Sequence, residues 1–96
     1  MALTVLSVAY PLAPVGPDAV GGAEQVLTYL DSALVSAGHQ SLVVACEGSK
    51  TSGRLFPIHV SGSSLAATLE STDTQQRAAI KKILAEYPVD VVHMHG

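Results

Sequence analysis

The sequence predicts an α/β fold, a Rossmann-like parallel sheet flanked by helices, on the evidence of alternation, composition and length. Short apolar runs of strand length alternate with segments of helical periodicity, which is typical of parallel sheets with right-handed crossovers. The chain is 48% hydrophobic, with three Tyr, one Phe and no Trp, so its interior is aliphatic, as in sheets covered on both faces. Its 96 residues suffice for one small domain.

Residues 3–10 are predicted to form the first buried strand because they are apolar and rich in β-branched side chains. No basic residue precedes them and Pro11 ends the run, which favours a strand over a secretory signal. Residues 11–22 contain three prolines and three glycines and are therefore predicted to be a loop.

The first helix is predicted over residues 23–37, with Gly38 as the residue that ends it in a left-handed turn. Its apolar face is expected to consist of Val26, Leu27, Leu30, Leu34 and Ala37. Asp31 is expected elsewhere on the helix, with Thr28 and Ser32, among its polar residues.

Residues 41–46 are predicted to be the second buried strand. It carries the only cysteine, Cys46, which is expected to be a buried structural thiol rather than a nucleophile. A single cysteine allows no intramolecular disulfide and suits a reducing compartment. Residues 56–60 are a weaker strand candidate, because Pro57 is compatible only with the start of a strand or with an edge.

The remaining segments predict a short helix, a longer helix and a last strand. The short helix is expected over residues 63–69. A capping box from Thr72 to Gln75 is expected to begin the longer helix, which Pro88 ends. Residues 89–95 complete the order β, α, β, (β), α, β.

Ligands of open parallel sheets bind beyond the carboxyl ends of the strands, where the strand order reverses. With the strand order 3-2-1-4, this point lies between the first and fourth strands. Gly21 and Gly22 end the loop after the first strand, and His93 and His95 lie at the end of the fourth. The sequence therefore predicts that the glycines and the histidines meet at one crevice.

The glycines lead directly into a helix, so free backbone N–H groups and the positive end of the helix dipole favour an anionic ligand such as a diphosphate. A flexible loop that needs glycine to enter its helix is the equal alternative. The two histidines point to the same face of their strand. A ligand contact, a structural histidine and a metal pair are all open readings, although no further metal ligand is near in sequence. His39 and His59 are expected at the opposite, amino edge.

Other ligand classes have weaker support. The net charge of −3 and the lack of a basic stripe argue against nucleic acid. Lys50 and Thr51 lack the spacing of a phosphate-binding loop, and the dinucleotide fingerprint of three glycines is missing. Glu47 follows the second strand and keeps a dinucleotide cofactor open as an alternative, since an acid there binds ribose.

Three ordered stretches carry a family resemblance: the glycine loop with its helix (GGAEQVLTYLDSAL), the turn and strand SAGHQSLVVA, and the terminal VDVVHMHG. Together they resemble the family-four retaining glycosyltransferases of the GT-B fold. In that family Gly-Gly-x-Glu opens the first helix, an Ala-Gly-His turn precedes strand two, and Asp-Val-Val-His-x-His marks strand four.

The resemblance implies transfer of a sugar from a nucleotide-diphosphate donor to a sugar, lipid or small-molecule acceptor, with retention and without metal or cofactor. It implies that Gly21, Gly22 and Glu24 belong to the loop that approaches the donor's phosphates and sugar. His93 and His95 match positions on the acceptor side of the cleft. No catalytic residue is implied within these 96 residues.

GT-B enzymes have two domains, and residues 1–96 match only the first half of the acceptor-side, amino-terminal one. The chain alone is therefore expected to be inactive, with a cytoplasmic location or a peripheral one at the inner membrane face. An unpaired fourth strand is expected to favour self-association. A non-catalytic α/β binding or assembly module, or half of another nucleotide-dependent enzyme, is the alternative.

Overall fold

The computed structural model describes residues 2–95, which contain four strands and two helices. In chain order these are β1 Thr4–Val8, α1 Gly22–Ser36, β2 Gln40–Cys46, β3 Arg54–Ile58, α2 Leu65–Glu86 and β4 Val91–Met94. The strands form one parallel sheet in the order β3-β2-β1-β4, which confirms the predicted fold class and strand order.

The two helices cover opposite faces of the sheet, because alternate residues of each strand point to opposite sides. The cluster beneath α2 consists of Leu6, Val8, Leu42, Val44, Ile58 and Ile83. The cluster beneath α1 consists of Ala9, Val15, Leu27, Val43 and Ala45. β1 and β2 contribute to both clusters, so their continuous apolar runs are explained by burial on both faces.

The connection from β2 to β3 has only seven residues and no helix, although it crosses from one end of the sheet to the other. Asp31 of α1 fixes this crossing. Its carboxylate accepts hydrogen bonds from the backbone N–H groups of Ser52 (2.6 Å) and Gly53 (3.0 Å) and from the hydroxyl of Ser41 (2.7 Å). Without Asp31, the two partly buried N–H groups and the buried hydroxyl of Ser41 would lack this acceptor.

The buried face of α1 differs from the predicted one. Asp31 is only 1% exposed and Glu24 is 8% exposed, whereas Val26 is 59% exposed. Only Leu27 is buried among the apolar residues of α1. The apolar stripe was a poor guide because the crossing loop beside α1 presents polar N–H groups, which require an acceptor rather than an apolar side chain.

The prediction of two separate helices between residues 63 and 87 is wrong, since α2 is one helix of 22 residues. Ser64 is its N-cap, and the Ser64 hydroxyl accepts a hydrogen bond from Ala67 N–H at 3.1 Å. Thr72 lies inside the helix, where its buried hydroxyl donates to the Leu69 carbonyl. Thr72 thus satisfies its hydroxyl within the helix instead of capping a new one.

The predicted turn at Gly38 is confirmed. Gly38 has a φ of 83°, and its N–H donates to the Val35 carbonyl while His39 N–H donates to that of Leu34. These two bonds satisfy the last carbonyls of α1 in the Schellman arrangement. Pro57 lies within β3, and β3 is an edge strand. This agrees with the expectation that the proline is compatible only with the start of a strand or with an edge.

β4 forms the other edge of the sheet and is exposed on both faces. Val91, Val92 and Met94 are 41%, 44% and 67% exposed. Among residues 2–95, no strand pairs with the outer edge of β4. The backbone of β4 and its apolar side chains are therefore available to another strand.

Candidate functional site

The carboxyl ends of the strands carry two cavities. The first, of about 190 Å³, lies inside the loop between β1 and α1. Its lining consists of residues 13–21 together with Gly48 and Lys50. The loop is held against the β2–β3 connection, because Val15 N–H donates to the Ser49 hydroxyl at 3.0 Å and Lys50 N–H donates to the Val15 carbonyl at 2.8 Å.

Further hydrogen bonds fix this loop to α1. Gly16 N–H donates to the Thr28 hydroxyl at 3.1 Å, and the Gln25 side-chain amide donates to the Ala19 carbonyl at 2.9 Å. The loop is therefore an ordered wall of the first cavity, with polar anchors at both ends, despite its content of proline and glycine.

The amino end of α1 borders the first cavity. Gly21 is the N-cap and lines the cavity, while Gly22 is exposed with no other atom near the position of a Cβ. Glu24, in the first turn, folds back so that its carboxylate lies against Gly21. Gly21, Gly22 and Glu24 therefore lie close together, because they form the N-cap and the first turn of α1.

The second cavity, of about 250 Å³, opens between the carboxyl ends of β1 and β4. Its lining consists of Val8, Ala9, Tyr10, Pro11, Gln76, Met94 and His95. Gln76 of α2 donates from its side-chain amide to the Ala9 carbonyl at 2.9 Å, which joins α2 to this edge of the sheet. Tyr10 is 43% exposed and presents part of its side chain to solvent.

His93 lies on β4 and His95 directly follows it, and the two side chains contact each other directly, as expected for residues two apart on one face. His93 Nδ1 and His95 Nε2 are hydrogen-bonded at 2.8 Å, with the ring centroids 4.6 Å apart. Burial, and secondarily the charge of His93, lowers the pKa of His95 below its ordinary value of 6.5. His95 is consequently neutral at pH 7, with one ring nitrogen engaged by His93.

The sequence predicted that the glycines and the histidines border one crevice, but the residues that line the cavities belong to two separate ones. Gly21 lines the first cavity and His95 lines the second, and neither borders the cavity of the other. Both cavities lie at the carboxyl edge, so the sequence located the edge correctly. It did not reveal that the ordered loop of residues 11–21 encloses a cavity of its own.

Two histidines away from β4 lie at opposite edges of the sheet. His39 precedes β2 at the amino edge, as expected, and its Nδ1 accepts from Leu3 N–H at 2.9 Å. The expectation that His59 lies at the amino edge is wrong, because β3 ends at Ile58 and His59 follows it. His59 Nδ1 contacts the Glu47 carboxylate at 2.9 Å.

The contact with His59 bears on the dinucleotide alternative, because Glu47 was the candidate acid for a ribose. Both side chains of the pair are more than half exposed. Gln75 also holds the backbone of His59, through bonds of 2.8 Å and 2.7 Å to its N–H and carbonyl. Glu47 is therefore already engaged by a neighbouring strand end.

Lys50 lines the first cavity, and the sequence did not single it out as a candidate site residue. The sequence GSK was tested only as a phosphate-binding loop and failed on spacing. The signal that would have found it is topological, because the β2–β3 connection begins at the same carboxyl edge as the glycine loop. Within residues 2–95, no three His, Cys, Asp or Glu side chains form a group that could hold a metal ion.

Cys46 is buried and free, as expected for a structural thiol, with the Ser49 hydroxyl 3.9 Å from its sulfur. Neither helix of the described chain is both long enough and apolar enough to cross a bilayer.

An open parallel α/β sheet with cavities beyond the carboxyl ends of its strands has the architecture of a Rossmann-like ligand-binding domain. The family model for Glycosyltransferase Family 4 matches residues 20–96, which is most of the chain, so the chain belongs to that family. This membership implies a sugar donor and an acceptor as substrates. A sequence comparison with curated proteins found no match.

Proposed function

We propose that this chain forms the acceptor-side wall of a retaining glycosyltransferase of GT-B architecture, which transfers a sugar from a nucleotide-diphosphate donor. The observation that carries the proposal is the pair of cavities at the carboxyl edge, in a chain whose residues 20–96 match the family model. Two neighbouring cavities suit a reaction that joins two substrates, because each substrate must be held in a defined orientation.

The donor is assigned to the first cavity. Gly22 has no side chain and no other atom near the position of a Cβ, so a sugar or diphosphate can approach the backbone closely there. Lys50 lines the same cavity and supplies a positive charge. We expect no metal and no cofactor, because the donor's own diphosphate is the leaving group and basic side chains can stabilise its charge.

The acceptor is assigned to the second cavity. His93 holds the ring of His95 through its Nε2 at 2.8 Å, so His95 Nδ1 is left to donate to or accept from a hydroxyl group, according to the tautomer. Tyr10 and Gln76 offer an aromatic surface and an amide on the same cavity. These groups suit a hydroxylated acceptor, whether a sugar, a lipid head group or a small molecule.

We propose that residues 1–96 do not transfer sugar by themselves, because a donor and acceptor enclosed on one side only are exposed to water. A nucleotide-binding domain would supply the other wall. The single cysteine supports a reducing compartment, and we propose the cytoplasm, with peripheral attachment to a membrane as the alternative.

A transfer assay on the full parent protein tests the proposal. UDP-, GDP- and ADP-sugars are offered with a panel of glycoside acceptors, and product is detected by mass spectrometry. His95→Ala is expected to reduce transfer at least tenfold, and His39→Ala, at the opposite edge, serves as the matched control. If the parent protein transfers no sugar from any donor, or if both variants behave alike, the assignment is lost.

The alternative function is a non-catalytic assembly module, for which the exposed edge of β4 is the specific observation. Val91, Val92 and Met94 expose apolar surface beside backbone groups that have no strand partner within the described residues. We propose that this edge also permits self-association of the isolated chain. Stable oligomers that bind no nucleotide sugar would favour the module over the enzyme.

A further inference from the structure

A third cavity lies on the outer side of α1. Its volume is about 430 Å³, whereas the two cavities at the carboxyl edge have about 190 Å³ and 250 Å³. Pockets that bind small molecules usually have about 300–1,000 Å³, and of these three cavities only the third lies in that range. Its lining consists of Gly16, Pro17, Gln25, Thr28, Tyr29 and Ser32.

Hydrogen bonds fix the two walls of the third cavity against each other. The Thr28 hydroxyl accepts from Gly16 N–H at 3.1 Å and donates to the Glu24 carbonyl at 2.8 Å, which ties the loop to the helix. The side-chain amide nitrogen of Gln25 donates to the Ala19 carbonyl at 2.9 Å, and this bond leaves Gln25 Oε1 to accept from a ligand. The cavity is therefore preformed.

The helical wall presents an aromatic ring between two polar groups. Gln25, Tyr29 and Ser32 follow one another at spacings of four and three residues, so they share one face of α1. This face is turned away from the core, because the buried Leu27 lies on the opposite side of the helix. Tyr29 is 77% exposed, so its ring is accessible to a ligand.

The third cavity has the chemistry of a site for a neutral, hydroxylated ligand. None of its six lining residues carries a carboxylate, an ammonium or a guanidinium group. A charged ligand would therefore lose hydration there without meeting an opposite charge. Hydroxyl and amide groups exchange hydrogen bonds with a ligand's hydroxyls, and an aromatic face attracts the positively polarised C–H groups of a ring.

We propose that the third cavity binds a neutral saccharide unit, with one face of its ring stacked on Tyr29 and its hydroxyl groups bonded to Gln25 and Ser32. The site goes beyond the proposed function, since it does not depend on the donor or on the transfer step. It shares only Gly16 and Pro17 with the first cavity and no residue with the second.

The test is a titration of the ¹⁵N-labelled protein, followed by amide chemical shifts, with maltose, lactose and α-1,2-mannobiose in separate experiments. We expect saturable shifts at Gln25, Tyr29 and Ser32 with at least one of the three sugars. Tyr29→Ala should weaken the binding at least about fivefold, whereas Tyr29→Phe keeps the ring and should retain most of the affinity. Val26→Ala is the matched control, because Val26 is exposed on α1 but does not line the cavity.

Ser32→Ala supplies a second arm, because it removes one hydroxyl from an exposed position. We expect about a threefold loss of affinity, the effect of one hydrogen bond, and no loss in Ser36→Ala, one turn further along α1. No saturable shift with any of the three sugars, shifts that spare Tyr29 and Ser32, or an unchanged affinity in Tyr29→Ala each overturns the inference. The transfer assay on the parent protein decides the proposed function separately.

Discussion

Asp31 is the residue on which the connection between β2 and β3 depends. It lies on α1, yet its carboxylate accepts from two backbone N–H groups of the crossing loop and from a hydroxyl of β2. The three donors satisfy the buried carboxylate of Asp31. Without the carboxylate, these donors would lose their acceptor.

Replacing Asp31 with Ala should lower the free energy of unfolding by about 1–3 kcal/mol, because the partly buried N–H groups of Ser52 and Gly53 lose their acceptor. Urea denaturation measures the change. Asp73→Ala is the control, since Asp73 forms only an exposed ion pair with Arg77 and should cost at most about 0.5 kcal/mol. Equal effects of the two substitutions would contradict the role given to Asp31.

His95 should make stability depend on pH in the mildly acidic range. Its pKa in the folded protein lies below the 6.5 of the unfolded chain, so the unfolded state binds more protons between those two values. The free energy of unfolding should therefore fall as pH decreases from about 6.5 to the lower pKa, and this contribution should not change further below it.

His93→Gln removes the charge of His93, which is the smaller of the two causes of the lowered pKa of His95. The burial of His95 remains. We expect the pKa of His95 to rise only part of the way toward 6.5, because burial is the larger cause. NMR titration of the histidine ring protons measures it. A pKa of His95 that does not respond to the substitution would show that the two rings are not coupled.

At the scale of the element, α2 shows how a local signal can mislead. Thr72 and Gln75 have the spacing of a capping box, but both side chains find other partners, the Leu69 carbonyl and the backbone of His59. The true cap is Ser64, in a run of serines that the sequence alone could not distinguish. Only tertiary contacts decide which hydroxyl is free to cap.

Ser64→Ala should lower the free energy of unfolding by about 1 kcal/mol, because Ala67 N–H loses its acceptor at the start of α2. Thr74→Ala removes a hydroxyl from the exposed interior of the same helix and should be neutral or slightly stabilising. Thermal unfolding followed by circular dichroism at 222 nm compares the two. A larger loss in Thr74→Ala would contradict the assignment of the N-cap.

The strands and their order were predictable because β1 and β2 are buried on both faces and read as continuous apolar runs. The buried position of Asp31 on α1 was not predictable, since its partners Ser41, Ser52 and Gly53 are distant in sequence. Periodicity records which residues are apolar. It cannot record that the inner face of a helix meets a crossing loop as well as a sheet.

At the scale of the whole molecule, the exposed edge of β4 should control self-association. We expect the isolated chain to show concentration-dependent dimers by sedimentation velocity, and Val92→Lys to shift it toward monomer, because a charge on an edge strand opposes pairing. Val26→Lys, an equally drastic change on the exposed side of α1, should not. A wild-type chain that stays monomeric at every concentration would refute self-association.

The position of the candidate site at the carboxyl edge was predictable from the sequence, but its separation into two cavities was not. Gly21, His93 and His95 all lie at the carboxyl edge that the topology specified. The separation into two cavities depends on how the loop before α1 folds onto Ser49 and Lys50. These hydrogen bonds join segments more than 30 residues apart, which no local pattern encodes.

The length of α2 has a consequence for motion. Gln75 and Gln76 attach the helix to the ends of β3 and β1, and the clustered core residues of α2, Ala79, Ile80 and Ile83, all follow them. Residues 65–74 extend by about 15 Å on the other side of this attachment, with Thr72 alone buried. Native-state hydrogen exchange should therefore find two rates along one continuous helix, with early opening before Gln75 and global protection after it. The break that the sequence predicted near Thr72 would then mark a boundary of local stability rather than an end of the helix.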